Sequence, residues 1–190
     1  MMKKLLVLSV IAGLTASLPA AADGESVPLQ LSTLNNTNAP AASRVEGARL
    51  ALLYGKSGHV SGVDFPLGYS ELDSLKGVSF PVLIGANRIR KEMVGVSFGL
   101  FNWHEGADTG ANFGAVNVTN NVNGLNAGWV NYSTGKTVVD LSFANIAEAS
   151  TVQLGVLNVT DRIDGIQLGL LNCAKNGFLP CFPLFNIGKQ

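Results

Sequence analysis

Few side chains in this sequence could do chemistry, and their types and spacing narrow what that chemistry could be. Asp64 and Asp140 occupy equivalent places in two apolar runs, so a carboxylate pair for general acid and base work is the first arrangement to weigh. Arg49 stands one run before Asp64, and an ion pair between those two is the better account. His59 and His104 each lie in or beside a turn, with no His-x-x-x-His or Cys-x-x-Cys spacing nearby. A metal needs several converging ligands, so both histidines read as solvated turn residues. Trp103-His104-Glu105 reads the same way, as an interfacial tryptophan with solvated neighbours. No glycine-rich stretch has the G-x-x-x-x-G-K-[ST] order that cradles phosphate, and no serine sits in a G-x-S-x-G elbow. Without a nucleophile, a metal pattern or a cofactor motif, the sequence points away from an enzyme. Cys173 and Cys181 are the two cysteines, and strand register decides whether they can meet in a disulfide.

The elements that carry these residues repeat. Aligned on Asn102, Asn117, Asn131, Asn145, Asn158, Asn172 and Asn186, the chain shows spacings of 15, 14, 14, 13, 14 and 14 residues. The segments read GVSFGLFNW, GANFGAVNV, GLNAGWVNY, VVDLSFANI, TVQLGVLNV, GIQLGLLNC and LPCFPLFNI. GARLALLYG from Gly47, GVDFPLGYS from Gly62 and GVSFPVLIG from Gly77 fit the same frame without the asparagine, and PLQLSTLNN from Pro28 is a degenerate first copy, which makes eleven. With the usual glycine as position 0 and the asparagine as position 7, positions 1, 3 and 5 are apolar, the period of two that marks a strand. Position 2 is a polar file: Arg49, Asp64, Ser79, Ser97, Asn112, Asn126, Asp140, Gln153 and Gln167. Position 4 is Gly99, Gly114, Gly128, Gly155 and Gly169 in later copies, and turn formers such as Thr119-Asn120-Asn121 separate the copies.

Residues 1–22 have the three parts of a secretory signal: Lys3 and Lys4, an apolar run from Leu5 to Leu14, and small residues ending at Ala22. The run is too short to span a bilayer as a helix. Residues 23–190 then form a single repeat-built β domain. Hydrophobic residues make up 47% of the chain and charged residues 14%, well below the roughly 25% charged of an ordinary soluble domain. Thirteen basic and thirteen acidic residues cancel, and no basic cluster larger than Arg88-Ile89-Arg90-Lys91 appears, which argues against a nucleic-acid partner.

Two all-β architectures suit such a unit. In an antiparallel meander position 2 would face position 4, so polar side chains would lie over glycines as in a narrow barrel. The apolar positions would form a lipid-facing band, and the position-2 file would line a small polar lumen. In a parallel β-solenoid asparagine would stack on asparagine and glycine on glycine. The likeness of every copy, the odd count and Pro180 and Pro183 in the last copy favour the solenoid. The scarcity of charge favours the barrel, because a solenoid in water needs a polar outside. The expectation is therefore a β-barrel, with the solenoid as the alternative.

Copies of the form GIQLGLLN and GVSFGLFN, with LLYG at Leu52 to Gly55 and FPLFN at Phe182 to Asn186, resemble a group of Gram-negative exported surface-repeat proteins. The resemblance implies the envelope of a Gram-negative cell, with the outer membrane as the address and its lipid bilayer as the partner, and supplies no catalytic residue or ligand. Two functional classes follow. One is a structural element or narrow pore in the outer membrane. The other is a periplasmic or surface-exposed solenoid whose Asn and Gln ladders present a flat face to a polysaccharide, another polymer or a protein.

Overall fold

A computed structural model describes residues 25–33, 37–81 and 85–189; the expected signal peptide lies outside them. Positions 1, 3 and 5 do form strands, as their alternation requires, but consecutive copies run parallel. Strands β1 (Ser26–Thr33), β2 (Thr37–Ala39), β3 (Arg44–Ala51), β4 (Tyr54–Pro66), β5 (Tyr69–Ser79), β6 (Ala86–His104), β7 (Ala107–Thr119), β8 (Asn121–Ala174) and β9 (Cys181–Ile187) make one sheet in the order β2-β1-β3-β4-β5-β6-β7-β8-β9. All pairings from β1 with β3 through β7 with β8 are parallel. The chain is thus a parallel β-solenoid, and the expected antiparallel barrel is corrected. β8 keeps strand conformation through several coils, bending at corners without leaving the sheet.

The register is that of the repeat. Gly47, Gly62, Gly77, Gly95, Gly110 and Gly124 pair in succession, so position 0 stacks on position 0. These six glycines have φ between +134° and +154°, and a Cβ on Gly62 would lie 2.0 Å from the Gly47 carbonyl oxygen. A turn this tight, with one coil resting on the backbone of the last, accepts only glycine. Positions 1 and 3 point outward and position 2 inward. The chain turns after positions 5 and 6, where both Leu100 and Phe101 face out, and then sends Asn102 inward. Position 9 also points in, as does the second residue before position 0 in most coils (Val45, Val60, Leu75, Met93, Asp108, Val122 and Ile163) or the one immediately before it in two (Thr137 and Ser150), which gives each coil three walls.

The interior changes character along the axis. At the N-terminal end Val27, Val45, Val60, Leu72, Leu75, Ile89 and Met93 pack as an apolar pile. Further along, the buried side chains are chiefly Asn, Ser, Thr, Gln and Asp. Both ends of the stack carry a reversed strand: β2 runs antiparallel to β1, and β9 antiparallel to the last part of β8, pairing Ile166 with Ile187 and Cys173 with Cys181. The final sequence copy is therefore a cap rather than another coil.

Stacked coils pack chiefly on their immediate neighbours, so whole units should be removable. Deleting residues 124–137 would bring position 0 of the next coil, Val138, directly after Asn123 and re-form the stack. The expected product keeps a β-sheet circular dichroism spectrum and cooperative unfolding at a lower urea midpoint; an unfolded product would contradict the register.

Candidate functional site

The position-2 file lies inside the coil. Arg49, Asp64, Ser79, Ser97, Asn112 and Asn126 pair in succession across the parallel strands, and they and Asp140, Gln153 and Gln167 are all buried. These residues line no lumen, because the coil interior is filled by their own contacts. Asn112 Nδ2 donates to Asn126 Oδ1 at 3.0 Å, Asn126 Nδ2 to Asp140 Oδ1 at 3.2 Å, and Gln167 Nε2 to Gln153 Oε1 at 2.7 Å. Asp64 and Asp140 are five coils apart, about 24 Å at the usual inter-strand spacing, so they form no catalytic pair.

Arg49 Nε lies 3.4 Å from Asp64 Oδ1 with both side chains fully buried, and Ser70 joins them, accepting from Arg49 Nη2 at 3.1 Å and donating to Asp64 Oδ2 at 2.8 Å. Burial pushes the Asp64 carboxyl above its ordinary value and the Arg49 guanidinium below its own, and each partner's charge opposes the other's shift. Asp140 has no such cation. Its carboxylate accepts from Thr137 Oγ1, Ser150 Oγ and Asn126 Nδ2, yet burial still drives its pKa up.

The asparagines at position 7 form a second, continuous ladder. Nδ2 donates to Oδ1 of the next coil from Asn87 to Asn102 (2.8 Å), Asn102 to Asn117 (2.7 Å), Asn117 to Asn131 (2.8 Å), Asn131 to Asn145 (3.0 Å), Asn145 to Asn158 (2.8 Å) and Asn158 to Asn172 (2.7 Å). The same amide nitrogen also donates to the position-3 carbonyl of the next coil, as from Asn102 to Phe113 and Asn145 to Leu154. Position 4 is glycine because the ladder occupies its space: a Cβ on Gly114 would lie 2.7 Å from Asn102 Nδ2 and 2.8 Å from Asn117 Oδ1. Ser142 replaces that glycine in one coil and donates to Asn145 Oδ1 at 2.6 Å.

Three features were missed in the sequence. Asn87 is the first rung, hidden because its coil is longer than the rest. In the two coils before it, Gly55 and Ser70 fill the asparagine slot, while the Tyr54 and Tyr69 rings stack on each other at 5.6 Å. His104 is buried rather than solvated, with Nδ1 2.7 Å from Asp108 Oδ2 and Nε2 3.0 Å from Asn87 Oδ1. The available signal was the small or polar series His104, Thr119, Ser133, Ala147, Thr160 and Ala174, which continues the inward alternation past position 7. No group of three or more His, Cys, Asp or Glu side chains converges as a metal site among the described residues.

The outer surface is apolar where an ordinary protein is polar. Among the described residues positions 1, 3, 5 and 6 carry no charge in any coil from Gly47 onward. Position 3 includes Leu50, Phe65, Phe80, Phe98 and Phe113, with Phe98 stacked on Phe113 at 5.2 Å. At positions 5 and 6 two walls meet in a ridge whose exposures reach 60% at Leu100, 76% at Trp129, 64% at Phe143 and 68% at Leu170, far beyond scattered surface leucines. Position 8, on the second wall, is Lys56, Glu71 and Arg88 in early coils and then Trp103, Val118, Tyr132, Ile146 and Val159. Most of the charge lies on the third wall and at its edges, in cross-coil pairs such as Lys91 with Asp73 (3.0 Å), Lys136 with Asp164 (2.9 Å) and Lys175 with Asp161 (2.7 Å). Lys136 donates to Asp164 and, helped by Arg162, holds its carboxyl below the ordinary value. The Arg88 guanidinium, paired with Glu105, lies over the Trp103 ring at 4.5 Å from its centroid. Cys173 and Cys181 are joined in a disulfide that ties β9 to the last coil. No helix among the described residues is long and apolar enough to cross a membrane.

No family model, curated protein or solved structure matches this chain.

Truncating Asn131 to Ala removes one ladder rung and leaves buried amide and carbonyl groups of its neighbours short of partners; the expected loss of stability is roughly 2–4 kcal/mol by urea titration. A cost below about 0.5 kcal/mol, ordinary for a surface position, would mean that the ladder does not hold the stack. Asp140→Asn should act the other way. Because the folded carboxyl keeps its proton to higher pH than the ordinary 3.8, the protonated form stabilises the fold in acid, and that contribution is lost as pH rises from about 4 through the raised value. The asparagine variant should be more stable than the parent at pH 7, on the order of 1 kcal/mol, with no gain at pH 3. A variant less stable at pH 7 would refute this account of Asp140.

Proposed function

We propose that this chain is an exported, non-enzymatic β-solenoid of the cell envelope that works as a binding module, with its two largely apolar walls as the recognition surface. The observation that carries this reading is the inversion of the coil: polar side chains are buried inside, and large apolar ones face out in continuous rows. The Asn and Gln ladders are not the binding face expected from the sequence, because they are buried and their amide groups are largely engaged within the stack. A polysaccharide, which needs exposed hydrogen-bonding groups, finds few on these walls. An apolar partner finds files of Phe, Leu and Val. The signal-like residues 1–22 and the resemblance to exported surface-repeat proteins support the envelope as the address.

Residues 23–190 should bind an apolar dye such as anilinonaphthalene sulfonate while fully folded. Paired substitutions on the ridge, Trp129→Gln with Phe143→Gln, should remove most of that fluorescence while changing the unfolding free energy from urea titration by no more than about 0.5 kcal/mol. A folded parent protein that binds no dye would rule out the walls as a binding surface.

A further inference from the structure

We infer that the occupant of the two apolar walls is the surface of a lipid bilayer, into which the solenoid sinks ridge-first without spanning it; this rests on the binding-module reading above. The shape of the apolar surface separates a bilayer from a second protein copy. A flat sheet face could pair with a copy of itself, but here the two largely apolar walls meet at a convex edge, and large exposed side chains, Trp129, Phe143, Leu100 and Leu170, lie along that edge. One rigid partner can cover one wall, whereas fluid hydrocarbon can cover both.

Charge is distributed as a boundary between water and hydrocarbon requires. The walls flanking the ridge are uncharged at positions 1, 3, 5 and 6, with charge only at position 8 of the early coils (Lys56, Glu71 and Arg88), and the opposite wall holds ion pairs that cross between coils. Those pairs largely cancel one another, so the described residues offer no strongly basic patch to anionic headgroups. Attachment is driven by apolar burial, as for interfacial helices that lie in the membrane plane. At the border between the second apolar wall and the charged wall stand Trp103 and Tyr132, which are 40% and 44% exposed, with Arg88 over the Trp103 ring. Amphipathic rings at this level match the headgroup region, where tryptophan and tyrosine collect in membrane proteins. The position-3 row from Leu50 to Leu168 spans eight coil steps, about 38 Å, so the ridge is a long rail rather than a point anchor.

The chain's two tryptophans provide the test, since one sits on the ridge and the other at the border. Residues 23–190 are mixed with vesicles of phosphatidylcholine alone, separated by flotation, and examined with lipids brominated at shallow or deep acyl positions. The protein should float with the vesicles in low salt and equally in 0.5 M salt. In Trp103→Phe, the remaining Trp129 should shift to the blue and be quenched most by deep bromines; in Trp129→Phe, Trp103 should be quenched most by shallow ones. Leu100→Gln combined with Leu170→Gln, neither of which packs inside the coil, should weaken vesicle affinity by about tenfold or more. Equal quenching depth for both tryptophans, binding abolished by salt, or a stable dimer that shields Trp129 and does not float would each overturn the bilayer assignment. If the protein fails to float but still binds the apolar dye, the bilayer assignment falls and the binding-module reading stands. Loss of both signals would end both.

Discussion

The asparagine ladder sets the terms for the rest of the molecule. Each Nδ2 has two hydrogens, and in this stack one goes to the Oδ1 one coil on and the other to a backbone carbonyl of that same coil. Both bonds form only if identical positions lie directly above one another at the spacing of adjacent strands, so the ladder demands parallel, in-register coils. Glycine at position 4 follows from it, since the amide fills the volume a Cβ would need. Beyond the apolar pile at the N-terminal end, buried amides take the place of a conventional apolar core, and those of the position-7 ladder are hydrogen-bonded from coil to coil.

Filling the inside with amides inverts the sequence pattern. In an alternating strand one face must be inward, and here it is the polar one, so Val, Phe and Leu are left outside. The low charge content is the compositional trace of this choice. Where the ladder has not yet begun, other devices occupy the same space: the Arg49, Ser70 and Asp64 network reaches into the asparagine slot, and the Val45, Val60 and Leu75 pile supplies ordinary apolar packing. Desolvation of both charges offsets much of the attraction in a buried ion pair of this kind, so its net contribution to stability is small.

Much of this was readable from the residues alone. The repeat, its phase, the inward position of Arg49, Asp64 and Asn112, and the strand character of every copy all follow from period-two alternation combined with a recurrence of about 14 residues. Strand direction was harder, because the same alternation serves both pairings: polar over glycine looks sound in an antiparallel register, and asparagine over asparagine in a parallel one. The barrel expectation rested on the premise that apolar outward rows must be hidden by closure within a membrane, and the folded chain instead leaves them open along two walls. Asn87 falls out of the repeat frame because its coil is longer, and His104 reads as a turn residue from the repeat alone because the asparagine frame ends at position 7, whereas the inward series continues to position 9. The Trp103 face and the charged third wall become visible only once the corners of the coil are known.

The reversed strands at the two ends have a consequence for assembly. Parallel in-register strands with stacked asparagines are the arrangement found in cross-β fibrils, where each chain is a template for the next. A solenoid built this way carries that hazard at both open edges. Here β2 lies antiparallel to the end of β1 at Leu31, Ser32 and Thr33, and β9 lies antiparallel to the last part of β8, preceded by Pro180, carrying Pro183 and bound to the stack by the Cys173 to Cys181 bridge. An incoming chain meets neither the right direction nor a full set of free amide groups. The same internal order that would propagate without limit between molecules is thereby confined to one, and the length of the rod is set by the number of coils encoded in the chain.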